Sequence, residues 1–464
     1  MRRLSITFLF LFSGYLFSQQ RIKPNLFGIT TETTFIFNNV RDSVFINKVK
    51  AISPKVLRFP GSNFYHYGGV GYGLNLEEID IWHRAGFPKR ARGLLNNTKQ
   101  RGHQHDYIDD FIILANKINA KVIITANIIT AKDYEIIQII RKIKSNGIEV
   151  IGVEMGSELS NQSYNHMMSK DKYIALAKKC SNIIKIYYPE IKITVVAAPL
   201  VLNPLNRHSL WNRDLAQENF YDGIIIHNYV KVTTGKDLYG EMITESKEGN
   251  SKKNAFNIYK KRALNFFNFD FISIIKKYNS VFFNKPIWIT EWNLQYSKIT
   301  GNTLFQGLFS ANYLLELTAV PELQNIELTT FHNLAGRDYG GSIFRTFQRE
   351  LQVQSTFYPI HMLSKLFEDS SLSIRKNQIS EECFRYDVYS DSKSPKYSIF
   401  INWSDSFKKM SLKKITSECV VEEYYGKELY SLGDELGAIT FSKENRNNVK
   451  NLIIKPYSLT IVTE

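Results

Sequence analysis

The chain has 464 residues, 44% of them hydrophobic and 22% charged, which is an ordinary globular composition and more chain than one core usually serves. A large domain with a smaller companion is therefore expected. The formal charge is +15, but the basic residues are scattered, with no compact basic helix or arm, which argues against a nucleic-acid reader and for a solvated surface.

The N-terminus, "MRRLSITFLFLFSGYLFSQQ", pairs Arg2 and Arg3 with an apolar run from Leu4 to about Phe17. That pattern reads as a secretory signal peptide over 1–18; an uncleaved anchor is the alternative. No other segment is long and apolar enough to span a bilayer. Of the three cysteines, Cys180, Cys383 and Cys419, none belongs to a metal-spaced cluster. Cys383 and Cys419 are either a disulfide in the C-terminal region or, with Cys180, buried thiols.

Eight apolar runs follow in order: 25–30, 55–60, 121–127, 150–156, 193–199, 223–229, 286–292 and 326–332. Helical spacing fills 106–118, 133–145 and 171–187, whereas helices after the first, fifth and sixth runs are less obvious. Strand alternating with helix predicts a parallel sheet with right-handed crossovers, and eight such units predict a closed (β/α)8 TIM barrel over 19–370. Beyond 370 the strand-like segments lack intervening helices and predict a C-terminal antiparallel β-sandwich over 371–464, packed closely on the barrel. Two connections are longer than a crossover needs. One covers 61–104, with Tyr65, Tyr67, Tyr72, Trp82 and His83; the other covers roughly 230–268 and is rich in lysine. Long loops on one rim of a barrel usually build a site.

The chemistry is expected at the C-terminal ends of the strands. "VIGVEMG" runs into Ser157 and Glu158, "GIIIHNY" ends on His227 and Tyr229, and "PIWITEW" ends on Glu291 and Trp292. Alternation puts His227 and Tyr229 on one face, and Glu291 on the face of Ile287 and Ile289. Carboxylates at the ends of strands four and seven make a facing pair. Glycoside hydrolysis needs such a pair, one protonated to donate to the leaving oxygen and one ionised to attack the anomeric carbon. A spacing of about 5–5.5 Å goes with retention; a spacing beyond about 9.5 Å would instead mark structural ions in an unrelated barrel.

At these residues the sequence resembles the clan A retaining glycoside hydrolases, most closely family 51, the α-L-arabinofuranosidases. "LFGITTE" is similar to that family's first-strand Gly-x-x-x-Glu motif, whose glutamate binds the sugar, and so points to Glu32. "LRFPGSNF" resembles its Arg-Phe/Tyr-Pro-Gly-Gly-Asn stretch and points to Arg58 and Asn63. "EMGSE" resembles its Gly-Asn-Glu acid/base motif, "HNYV" its His-x-Tyr motif, and "TEWN" its Asp-Glu-Trp-Asn nucleophile motif. Two positions depart from the family: Ser157 stands where the clan has an asparagine that bonds the sugar 2-hydroxyl, and Ser62 replaces the second glycine of its turn.

The resemblance implies an exported glycosidase acting by double displacement on a plant or algal type polysaccharide or oligosaccharide. Glu158 is then the acid/base and Glu291 the nucleophile. Glu32, Arg58, Asn63, Asn127, Ser157, His227, Tyr229 and Trp292 are expected at the substrate, with His227 and Tyr229 orienting Glu291. This chemistry requires neither metal nor organic cofactor. The alternatives are another clan A activity, of xylosidase or uronidase type, and a carbohydrate-binding relative in which Ser157 has removed catalysis.

Overall fold

The computed structural model describes residues 19–61, 63, 65–68, 71–74, 107–233, 235–236, 242–243, 252–337, 339–347, 350–390, 394–411, 418–447 and 451–463. The expected signal peptide, Ser62, Trp82 and His83 lie outside the described residues. So do the side chains of Tyr65, Tyr67 and Tyr72, whose backbone forms a short hairpin.

The eight apolar runs become the parallel strands β1 (Gly28–Thr30), β2 (Val56–Phe59), β3 (Lys121–Thr125), β4 (Val150–Met155), β5 (Lys192–Val196), β6 (Gly223–Val230), β7 (Ile287–Leu294) and β8 (Ile326–Phe331). They close into one barrel in chain order. Such strands are covered on both faces, which is why they read as nearly continuous Val/Ile runs. Val56, Ile123, Trp288 and Leu328 pack together as a small core separate from the main one. Gly152 makes room for the tryptophan, since a Cβ there would sit 2.2 Å from the Trp288 ring.

Helices Tyr107–Ile118, Asp133–Ser145 and Lys170–Tyr187 form where the spacing places them. After β1, β5 and β6 the structure supplies what the pattern leaves vague: Ser43–Ile52, Arg207–Leu215 and the pair Lys252–Asn265 and Phe271–Val281. The expected long loop over 230–268 is thus corrected, because much of it is helix. Its apolar anchors Phe256, Tyr259, Ala263 and Leu264 are buried at helical spacing, but lysines and asparagines crowd the other positions and blur the pattern.

One expectation from alternation also fails. Ile287 and Ile289 pack into the main core, whereas Glu291 reaches Arg58 and Tyr229 of neighbouring strands. The pairing of β7 with both β6 and β8 shifts register just after Ile289. An extra residue there changes the alternation and turns Glu291 toward the barrel axis, as bulges beside functional sites do.

The C-terminal region supplies six strands of a seven-stranded antiparallel sheet and a separate two-stranded ribbon, Lys408–Ser411 with Asn451–Ile454. Phe400, Cys419, Val421 and Val462 of the sheet meet Leu452 and Ile454 of the ribbon in a second core. Residues of the other phase, Ile399, Ile401, Leu459 and Ile461, join the barrel core. Helix Leu304–Ala319 lies between the barrel and this sheet, and every one of its residues is buried. That accounts for its lack of a polar face. Hydrogen bonds from Trp403 Nε1 to Asn312 (2.9 Å) and from Tyr386 to Glu316 (2.6 Å) fasten the two layers. Gln20 and Arg21 pair with Ile374 and Ser373, so the chain joins the edge of the C-terminal sheet before it enters the barrel. Cys383 carries a free buried thiol, pushed up to about 11 by burial, so it is not half of a disulfide. Among the described residues no helix is long and apolar enough to cross a membrane.

Candidate active site

The C-terminal ends of β1, β2, β4, β6, β7 and β8 bring nine side chains together around Arg58. This arginine rises from β2 and is fully buried. Its Nε lies 3.0 and 2.9 Å from the two oxygens of Glu154, and its Nη1 donates to Glu291 Oε1 at 2.8 Å. Its Nη2 reaches Ser157 Oγ at 3.3 Å. One guanidinium therefore serves two buried carboxylates, and their charges outweigh the effect of burial to raise its pKa. Thr125 Oγ1 donates to Glu154 at 3.0 Å, completing that carboxylate's setting.

Gly61 closes the turn after β2 with φ +75°. A Cβ at this position would stand 3.0 Å from Arg58 Nη1 and 3.4 Å from Glu32 Cβ. Only glycine suits both that backbone and that space, which gives the "RFPG" segment a physical meaning. Two residues on, the Asn63 amide clamps Ser157: Nδ2 donates to its carbonyl at 2.7 Å and Oδ1 accepts from its N–H at 2.8 Å. Asn63 thus holds the turn that carries Glu158.

Glu158 itself has φ +54°, a left-handed conformation that disfavours a side chain by about 1–2 kcal/mol. The turn presents its carboxylate to solvent, with the side chain 33% exposed. Asn161 Nδ2 donates to Oε2 at 3.1 Å. His227 Nδ1 lies 3.1 Å from Glu158 Oε1 and 3.4 Å from Glu291 Oε2, so the imidazole sits between the two carboxylates. One oxygen of each carboxylate and this ring nitrogen all lie within 4.8 Å of one another. That spacing is of the short, retaining kind.

Glu291 is 5% exposed. Burial pushes its carboxyl up, but the electrostatic influence of His227, His332 and Arg58 and the hydrogen bond from Tyr229 together outweigh it. They hold the group well below the usual carboxylate range. The Tyr229 hydroxyl donates to Oε2 at 2.5 Å. Burial, and after it the neighbouring Glu291 charge, push that phenol well above its ordinary value, so it stays a donor. Glu291 is thus ionised and almost fully enclosed, while Glu158 is within reach of water.

Glu32, past the end of β1, meets His332 at the end of β8, with Oε2 and Nε2 2.8 Å apart. The His332 ring in turn stands edge-on to Tyr229 at 5.7 Å between centroids. Of the residues expected from sequence, Glu32, Arg58, Asn63, Ser157, Glu158, His227, Tyr229 and Glu291 are brought together. Trp292 is not: it is 1% exposed and stacks on Tyr313 of the surrounding helix, 4.3 Å away, because it faces the opposite side of β7 from Glu291. Asn127 ends β3 by binding its own loop, accepting from the N–H groups of Ile129 and Thr130.

Sequence reasoning gave no role to Glu154 or His332. The signals were present. A carboxylate at the fifth position of a buried apolar strand needs a partner, and His332 closes the eighth apolar run where a barrel keeps its site.

No protein-family model and no curated protein matches the chain. Among solved structures its fold is similar to that of a family 51 α-L-arabinofuranosidase from Thermotoga petrophila RKU-1, with a TM-score of 0.63 at 17% identity over 96% of this chain and 97% of that one. A family 51 α-L-arabinofuranosidase from Bifidobacterium longum gives 0.65 at 11% identity over 96% of each chain. A family 44 xyloglucanase from Paenibacillus polymyxa gives 0.56 at 9% identity over 96% of this chain and 97% of that one. The shared fold agrees with the clan A resemblance read from the strand-end motifs.

Proposed function

We propose that the protein is an exported retaining glycoside hydrolase, with an α-L-arabinofuranoside or a similar glycoside as its substrate. The observation that carries this reading is the Glu158–His227–Glu291 arrangement, with one oxygen of each carboxylate and an imidazole nitrogen within 4.8 Å of one another. Support for the sugar class comes from the family 51 motifs and fold, and support for export from the basic-then-apolar N-terminus.

In the first step a Glu291 oxygen attacks the anomeric carbon as its bond to the leaving oxygen breaks, and Glu158 gives that oxygen a proton. In the second, Glu158 takes a proton from water, which attacks the same carbon and releases Glu291. Tyr229 and Arg58 keep Glu291 oriented and ionised through the hydrogen bonds already described. Arg58 remains paired with Glu154 when Glu291 is esterified, so the guanidinium is not left without a counter-charge.

Glu158→Ala is expected to slow hydrolysis of a poor leaving group by about 10²–10⁴-fold. A nitrophenyl arabinofuranoside, whose leaving group needs little protonation, should suffer mainly in the second step. Added azide should restore that step by forming a glycosyl azide. Proton NMR of the wild-type product should show the anomeric configuration retained. An inverted product, or an alanine variant as fast as wild type on both substrates, is incompatible with the assignment.

A further inference from the structure

The loop after β8 carries more than His332. Ala335–Gly336 pairs in parallel with Phe344–Phe347, which returns antiparallel to Glu350–Val353. The loop is fixed at its root, since Leu334 N–H donates to Thr30 O and Phe344 N–H to Leu334 O, each at 2.9 Å. Arg345 lies directly across from Gly336. Gly336 in turn abuts Thr33, the residue after Glu32, and a Cβ on it would be 3.0 Å from Thr33 Oγ1. Arg345 is therefore about two strand spacings, roughly 10 Å, from the backbone that carries Glu32. That distance is within the length of a short oligosaccharide.

The guanidinium of Arg345 is flanked by two rings. Its central carbon is 4.6 Å from the centroid of Phe347, which is 44% exposed, and 5.2 Å from that of Tyr339. Nε donates to Arg337 O at 3.3 Å. The adjacent Arg337 guanidinium stands over Phe37 at 4.9 Å. Of the described acids nearby, Asp434 accepts from the Tyr339 hydroxyl at 2.9 Å, and Glu350 stands across from Phe347 in the strand register. Among the described residues no carboxylate forms an ion pair with Arg345. Aromatic faces cover the guanidinium plane, and the Nη fork is left to bind a planar or tetrahedral anion in two-point fashion.

We propose that this hairpin is a subsite for an anionic sugar, with the Arg345 fork binding a uronate carboxylate or a sulfate ester on an oligosaccharide threaded past Glu32. This rests on the glycosidase reading of the same cleft and names its substrate class. The formal charge of +15 draws such polyanions toward the protein.

Calorimetric titration with a neutral arabino-oligosaccharide, an oligogalacturonate and a sulfated galacto-oligosaccharide tests it. Wild type should prefer one of the anionic ligands to the neutral one, and which of the two it prefers identifies the anion. Arg345→Gln should weaken that ligand by about tenfold or more and leave both neutral binding and turnover of an aryl arabinofuranoside unchanged. Arg345→Lys, which keeps the charge but loses the fork, should recover only part of the affinity, and serves as the folded comparison if the glutamine variant misfolds. Equal affinity for neutral and anionic ligands, or anionic binding indifferent to both substitutions, overturns the proposal. If anionic oligosaccharides bind through Arg345 but no glycoside is cleaved, the subsite stands and the hydrolase reading falls.

Discussion

Glu291→Gln will lower turnover of an aryl arabinofuranoside by at least about 10⁴-fold, the scale on which loss of a nucleophile is felt in enzymes that work through a covalent intermediate. The glutamine keeps the shape, and its single amide oxygen can take over one of the two hydrogen bonds that the carboxylate accepts from Arg58 and Tyr229, so the circular dichroism spectrum should match wild type. The same substitution has a pH signature. Because the folded state holds the Glu291 carboxyl below its ordinary value of 4.5, its ionisation adds stability that is fully present above that value. This stability is lost as pH falls toward the folded-state value. The unfolding free energy of wild type relative to the glutamine variant should therefore shrink between about pH 7 and about pH 3. Measured by urea titration, a difference that stays flat or widens on acidification would contradict the electrostatic account of this site. By the same argument the acid limb of kcat/KM lies below the ordinary carboxylate range.

The second large effect concerns Arg58. Arg58→Met should destabilise the fold by about 3–5 kcal/mol, because it strands two buried carboxylates in a medium that cannot solvate them. Activity should fall by about 10²–10³-fold, since the nucleophile loses both a hydrogen bond and the cation that helps keep it ionised. The two losses can be separated. Combining Arg58→Met with Glu154→Gln removes one stranded charge and should recover part of the stability, with no recovery of activity. If activity returns with stability, Arg58 is only a structural strut and its role at Glu291 is wrongly assigned.

Much of this architecture is written locally. All eight barrel strands could be read from the sequence because strands covered on both faces must be apolar along their length. The paired glutamates could be read because strand-end motifs are short and contiguous. The rest depends on residues far apart in the chain. Glu154 looks like the tail of an apolar strand until Arg58, 96 residues earlier, is placed beside it. Glu32 and His332 are 300 residues apart and meet only because the barrel closes β8 onto β1. The facing of Glu291 escapes the sequence for a related reason. Strict alternation does not reveal the register shift after Ile289, which follows from how β7 accommodates both β6 and β8.

The backbone at Glu158 sets two kinds of selection against each other. A φ of +54° is a conformation that glycine or asparagine adopts with little penalty and glutamate does not. Drift or engineering toward greater thermal stability would favour replacing this residue, and each such replacement would remove the group proposed above to shuttle the proton. On the proposed mechanism, the position is held by what the protein does, against what its own fold prefers. In a lineage that gave up catalysis and kept only sugar binding, it would be among the earliest residues to change.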